Sequence, residues 1–154
     1  MSAARTVEAF LLEHAVRYTV LEHPRSLSSK ETSSVTHLPP DEIAKAVILG
    51  DEKGYLMAVI PADHHVEMRT LCEKLGRRLD LVAESRLPPI FKDCELGAIP
   101  PIGPAYNIET IVDASLVGRK KIWFVAGDHY RLLGVDGKDF VRMLASAQFS
   151  QFSH

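Results

Sequence analysis

The chain has 154 residues, 46% hydrophobic and 25% charged, with a formal net charge of −2. That length suits a single domain over 1–154 with a sizeable core. The charge excludes a globally basic nucleic-acid binder, so any RNA contact rests on a local patch and is weak. No apolar run approaches the roughly 18 residues of a membrane helix, and the first residues lack the apolar stretch of a secretion signal. Two cysteines without CxxC spacing, Cys72 and Cys94, read as free thiols in a reducing cytoplasm.

Val7, Phe10, Leu11 and His14 share one helical face, which predicts a helix over Thr6 to His14. Tyr18 to Leu21 is β-branched and aromatic and reads as the first strand. Ser28-Ser29-Lys30-Glu31 is a capping box that opens a short helix, stopped by Pro39-Pro40. Asp41 and Glu42 then begin a helical turn that feeds an apolar strand, Ala46 to Leu49, closed by Gly50. Asp51-Glu52-Lys53-Gly54 is a hairpin turn, and Tyr55 to Ile60 returns as a second strand ended by Pro61. Asp63 caps the next helix, which carries Val66, Leu71 and Leu75 inward and ends at Gly76.

Leu79 to Val82 is a short strand and Ser85 to Phe91 a short helix. Gly97-Ala98-Ile99-Pro100-Pro101-Ile102-Gly103-Pro104 is a rigid, non-repetitive loop, because proline fixes φ and glycine permits φ > 0. Ile108 to Val112, Ile122 to Ala126 and Tyr130 to Val135 read as strands. The last helix buries Phe140, Val141 and Leu144, and the polar tail from Gln148 to His154 frays. Hairpins mixed with helices, without βαβ alternation, give an α+β domain with a mixed sheet.

The chemistry-bearing groups are few. His64 and His65 are adjacent, and neighbours on a helix point about 100° apart, so they do not grip one ion by themselves. Neither HExxH nor CxxC occurs, and no metal or cofactor is expected. No serine sits in a GxSxG elbow. Cys94 reads more readily as a small buried apolar residue than as a nucleophile. The Gly97 loop lacks the Gly-Lys-Ser/Thr ending of a phosphate loop.

Arg77-Arg78 and Arg119-Lys120-Lys121 lie at turns. Each is ordinary solvated charge when taken alone, and together they form a modest backbone-binding surface. Lys45, at the start of a rigid strand, is placed to anchor a phosphate or orient a carbonyl, although most lysines at strand ends are simply solvated. The loop can present backbone N–H groups to a developing oxyanion. Its prolines donate nothing, so the donors come from Gly97, Ala98, Ile99, Ile102 or Gly103.

Lys45 within Ile-Ala-Lys-Ala-Val-Ile-Leu, followed by Gly97-Ala98-Ile99-Pro100-Pro101-Ile102-Gly103, resembles the YbaK-like domain. That family includes free-standing aminoacyl-tRNA deacylases and the editing insertion of bacterial prolyl-tRNA synthetases. The resemblance covers nearly the whole chain. His23 with Ser28 to Ser34, Pro61-Ala62-Asp63, Leu96-Gly97-Ala98, Val112-Asp113-Ala114-Ser115-Leu116 and Ala126-Gly127 also match.

The resemblance implies a mixed sheet bent into a half-barrel with helices around it. It also implies hydrolysis of the ester joining a wrong amino acid to a tRNA 3′ end, without a metal and in some members with help from the terminal 2′-hydroxyl. Lys45, Gly97 and Pro101 carry over as the catalytic set, the lysine on the substrate's terminal phosphate or ester and the loop on its carbonyl. Ala98, Ile99, Pro100, Ile102, Gly103, Ala46, His23, Tyr18 and Asp128 are expected to bind substrate around them. Arg119, Lys120, Arg77 and Arg78 are expected to touch tRNA. Ala46 replaces the family's frequent Thr and Ile102 its frequent Phe, which bears on the amino acid accepted.

Two readings follow: a trans-editing deacylase working on mischarged tRNA, or a non-catalytic module binding an amino acid, a charged tRNA end or a synthetase partner. No carboxylate or histidine base stands beside the loop in the sequence, which keeps the second reading open.

Overall fold

A computed structural model describes residues 4–154. The first helix, α1 (Arg5–Glu13), buries Val7 and Leu11 and stacks Phe10 on His14. It leads to β1 (Thr19–Glu22). The helix α2 (Ser29–Thr36) begins at the expected cap: Ser28 Oγ accepts from Glu31 N at 3.1 Å. The other half of the box is shifted, since the Glu31 carboxylate accepts from Leu27 N at 3.5 Å rather than from the cap residue itself.

After a 3-10 turn at Pro40–Glu42 comes the hairpin of β2 (Ala44–Asp51) and β3 (Gly54–Pro61). Its antiparallel register runs from Ala44 opposite Pro61 to Asp51 opposite Gly54. The rest of the chain supplies α3 (Met68–Leu75), β4 (Asp80–Leu81), β5 (Glu109–Asp113), β6 (Lys121–Val125), β7 (Arg131–Asp136), α4 (Gly137–Met143) and β8 (Gln148–Ser150).

The strands form a mixed arrangement in two parts. A three-stranded sheet has the order β1-β7-β6, and a five-stranded sheet the order β4-β2-β3-β5-β8. β5 runs parallel to both its neighbours, while the other pairings are antiparallel. A parallel bridge between Ile43 and Trp123 joins the two sheets into a curved wall that does not close. One apolar core lies within the curve, including Phe91, Ile102, Phe124 and Phe140. A second lies on the other face of the hairpin, where Leu49, Leu56, Ile60 and Ile111 meet Leu71 of α3 and Phe152.

Two local expectations change, for one shared reason. The helix after the hairpin starts at Met68, not at Asp63, and the C-terminal tail does not fray. Residues 64–67 are drawn instead into pairing with the chain end. His65 and His154 exchange backbone hydrogen bonds at 2.7 and 3.1 Å, and Glu67 N donates to Phe152 O at 2.7 Å. β8 adds to β5, and Asp113 accepts from Phe152 N at 3.0 Å.

Phe152 is fully buried. Phe152→Ala is expected to lower unfolding stability by about 3–5 kcal/mol, the usual loss for a truncated core phenylalanine. Urea unfolding measures this; a loss under about 1 kcal/mol would mean that the tail is not part of the core.

The helix expected over Ser85 to Phe91 is reduced to a 3-10 turn at Glu84–Arg86, because Pro88 and Pro89 have no N–H with which to continue it.

Candidate active site

The open edge of β2 defines the site. Ile48 O accepts from Val82 N at 3.0 Å, so Ile48 directs its backbone polar groups away from β3. Strand alternation turns those of Ala46 the same way. β4 pairs only with Leu49 and Gly50, leaving the edge uncovered at Ala46. A cleft of about 590 Å³ lies over this edge. Lys45, Ala46, Val47 and Ile48 border it, as do Ser26 to Lys30 and Thr32 near the start of α2. Ala62, Asp63 and His65 follow β3, and Leu81, Val82, Glu84 and Leu87 border the cleft from the β4 region. Gly97, Ile99, Val125 and His129 complete the lining.

Lys45 is half-buried, and its Nζ donates to Ala62 O at 2.9 Å. Burial pulls its pKa below the ordinary lysine range, with Asp63 acting in the opposite direction. One carbonyl uses one of the three ammonium donors, so the head group keeps capacity for a ligand.

The glycine–proline loop is tied down from behind. Ala98 N donates to Glu95 O at 3.0 Å, and Ala98 O accepts from Gly127 N at 3.1 Å. This occupies one of the expected donors. Gly97 has φ +82°, a conformation that favours glycine. Among the described residues, the N–H groups of Gly97 and Ile99 have no hydrogen-bond partner, and both residues border the cleft.

The remaining expected site residues lie elsewhere. Ala98, Pro100, Pro101 and Ile102 are buried behind the loop, and Ile102 belongs to the core within the curve. It has no side chain in the cleft, so Ala46 alone of the two departures from the family pattern borders it. Gly103 packs so closely on Thr110 that a Cβ there would collide with the threonine hydroxyl. Asp128 is a turn residue: its carboxylate accepts from Tyr130 N at 2.9 Å, Arg131 N at 3.0 Å and Arg131 Nε at 3.1 Å. Tyr18 is exposed just before β1. His23 donates from Nδ1 to Pro24 O at 2.7 Å, and its buried Nε2 has no partner.

The basic turns are also partly committed. Arg77 is held by Asp51 at 2.8 Å and Glu109 at 3.2 Å, so it braces the hairpin. Arg119 pairs with Asp41 at 3.0 Å. Arg78 and Lys120 are exposed and have no ion-pair partner among the described residues.

Cys94 is not activated. Burial, together with the nearby Asp93 carboxylate, pushes its thiol up to about 12 despite the Tyr106 hydroxyl at 3.3 Å. His64 bonds Ser153 Oγ at 2.8 Å, and among the described residues no cluster of three or more His, Cys, Asp or Glu is placed to hold a metal.

The residue that sequence reasoning missed is His129. It is buried, lies against Gly97, and its Nε2 is 2.7 Å from Leu96 O. Leu96 and His129 are 33 residues apart in the chain, and no spacing in the sequence points to their contact.

The family described as the aminoacyl-tRNA editing domain matches residues 23–143. The Prolyl-tRNA editing protein ProX of Acetoanaerobium sticklandii is 31% identical over 126 residues, which cover 77% of this chain and 76% of that protein. Among solved structures, one described as a hypothetical protein superposes with a TM-score of 0.84 at 23% identity, covering 97% of this chain and 100% of the other. A candidate trans-editing enzyme for prolyl tRNA synthetase gives a TM-score of 0.82 at 20% identity, covering 100% and 98%. Those two likenesses establish the fold, with the same mixed sheet and helices. With the family match over most of its length and the ProX relative across three-quarters of both chains, the chain belongs to the aminoacyl-tRNA editing domain family.

Proposed function

We propose that this chain is a free-standing trans-editing deacylase that hydrolyses the ester of a mischarged aminoacyl-tRNA in the cleft over β2. One observation carries the reading: a half-buried lysine ammonium and two unpartnered backbone N–H groups border the same cleft. Lys45 binds the terminal phosphate or the ester region of the tRNA end. The N–H groups of Gly97 and Ile99 receive the carbonyl oxygen as it becomes an oxyanion. Pro100 and Pro101 touch no substrate in this account and stiffen the loop from behind.

The amino-acid side chain rests among Ala46, Leu87 and Ile99, which pack toward the same core, a surround that favours small uncharged side chains. The ProX relative suggests tRNA for proline as the carrier, and prolyl-tRNA synthetase as the source of the error. The test is incubation of the chain alone with a panel of mischarged tRNAs, including alanyl, cysteinyl and seryl forms. Release of a small uncharged amino acid is expected; no release from any member would refute the reading.

Binding to tRNA is expected to be weak and salt-sensitive. Because Arg119 is already paired with Asp41, Lys120 is the freer charge. Lys120→Glu is expected to weaken tRNA binding and reduce the salt slope by about 0.7–0.9, the contribution of one phosphate. An unchanged slope in a salt titration would remove this turn from the interface.

A further inference from the structure

We infer that His129 is the general base of the deacylation, taking a proton from the attacking water through Nδ1. This rests on the deacylase reading above.

The tautomer follows from the contacts. A carbonyl oxygen only accepts, so the 2.7 Å contact with Leu96 O makes Nε2 the protonated nitrogen. In the neutral ring Nδ1 then carries the free lone pair. It has no hydrogen-bond partner among the described residues. Nor is it sealed, since the one buried, unpartnered side-chain nitrogen or oxygen among them is His23 Nε2. The open space that His129 borders is the cleft, although its side chain is only 6% exposed.

The ring also lies against the loop. A Cβ built on Gly97 would stand 3.4 Å from His129 Cε1 and 3.9 Å from Nε2. The ring therefore packs on the loop at Gly97, the residue whose N–H has no partner among the described residues.

In the reaction, the water oxygen attacks the ester carbonyl as Nδ1 takes the water proton. The tetrahedral oxyanion is received by the Gly97 and Ile99 N–H groups. Collapse breaks the bond to the ribose oxygen, which leaves with the proton returned by the imidazolium. Free amino acid and a tRNA with a free terminal hydroxyl result. The charged and titratable groups around His129 are the Glu95 carboxylate, 3.9 Å from Nε2, the Asp128–Arg131 pair on its own turn, and Lys30, Lys45, Asp63, His65 and Glu84 lining the same cleft.

His129→Gln tests this, because the glutamine amide reaches the Nε2 position and can donate to Leu96 O while lacking a base. On the mischarged tRNA that the wild type cleaves fastest, kcat is expected to fall about 10²–10⁴-fold with KM little changed. The wild-type rise of kcat/KM with pH to a plateau, with single-proton slope, is expected to disappear. In His129→Ala, added imidazole is expected to restore part of the rate, which keeps the test open if the glutamine variant folds poorly. A wild-type rate in His129→Gln, a change in KM alone, or a retained pH slope would overturn the inference and leave the terminal 2′-hydroxyl as the base. If the wild type itself releases no amino acid from any tRNA, the deacylase reading fails first and this inference with it.

Discussion

Lys45→Ala is expected to lower kcat/KM for deacylation by about 10–150-fold while the protein stays folded. The magnitude is that of a hydrogen bond to a charged group, about 1.5–3 kcal/mol. The side chain sits where such a loss matters, at the open edge of β2 with its Nζ on Ala62 O and the cleft in front of it. The fold tolerates the change because the lysine is already partly desolvated, and the Ala62 carbonyl it releases belongs to a residue that borders the cleft, where water can satisfy it. Lys45→Arg is expected to recover only part of the activity, since a planar guanidinium does not reproduce a compact ammonium against the Ala62 carbonyl. Single-turnover kinetics with circular dichroism as the folding control decide it. Full activity in a folded Lys45→Ala protein would take the lysine out of the mechanism.

Gly97→Val is expected to lower deacylation by about 10²–10³-fold, as for the loss of one oxyanion donor worth about 2.7–4 kcal/mol. Gly97 has φ +82°, and a Cβ there would already touch the His129 ring. A β-branched side chain presses further on that ring and turns the N–H out of position. Strain of about 1–3 kcal/mol is added to the folded state, so some stability is lost too. The loop is exposed at this residue, and its anchors at Ala98 and Gly127 are separate from it. Activity therefore falls further than stability. A variant that loses several kcal/mol of unfolding stability and retains its rate would make the loop structural.

What could be read from the sequence was local. The hairpin followed from Asp51-Glu52-Lys53-Gly54 between two apolar runs, and the α2 start from the Ser28 cap. The pairing of Lys45 with the Gly97 loop was legible only as a pattern of residues, yet both border one cleft. The failures came from contacts between distant parts of the chain. The burial of Phe152 depends on Leu71 and Ile60, and the late start of α3 depends on His154, none of which the tail's polar composition reveals.

Proximity along the loop also misled. Ile102 lies three residues beyond Ile99, but it faces the core while Ile99 faces the cleft. Asp128 and His129 are adjacent, yet the aspartate is consumed by the turn to Arg131 and the histidine reaches the Leu96 carbonyl. The sequence pattern pointed to Asp128 and passed over His129; only side-chain direction separates the turn residue from the one in the cleft.

The central claim is that the aminoacylated tRNA end binds over β2 between Lys45 and the Gly97 loop. The most direct test is a nitrogen-15 NMR titration of the folded chain with a terminal-adenosine analogue in which an amide replaces the ester, so that it binds without being cleaved. The backbone amides of Ala46, Gly97 and Ile99 are expected to shift most, with the Lys45→Ala protein binding more weakly and Asp128 and Ile102 moving little. Shifts centred on the exposed β1 region around Tyr18 and Val20, with the Gly97 and Ile99 amides unmoved, would contradict the account.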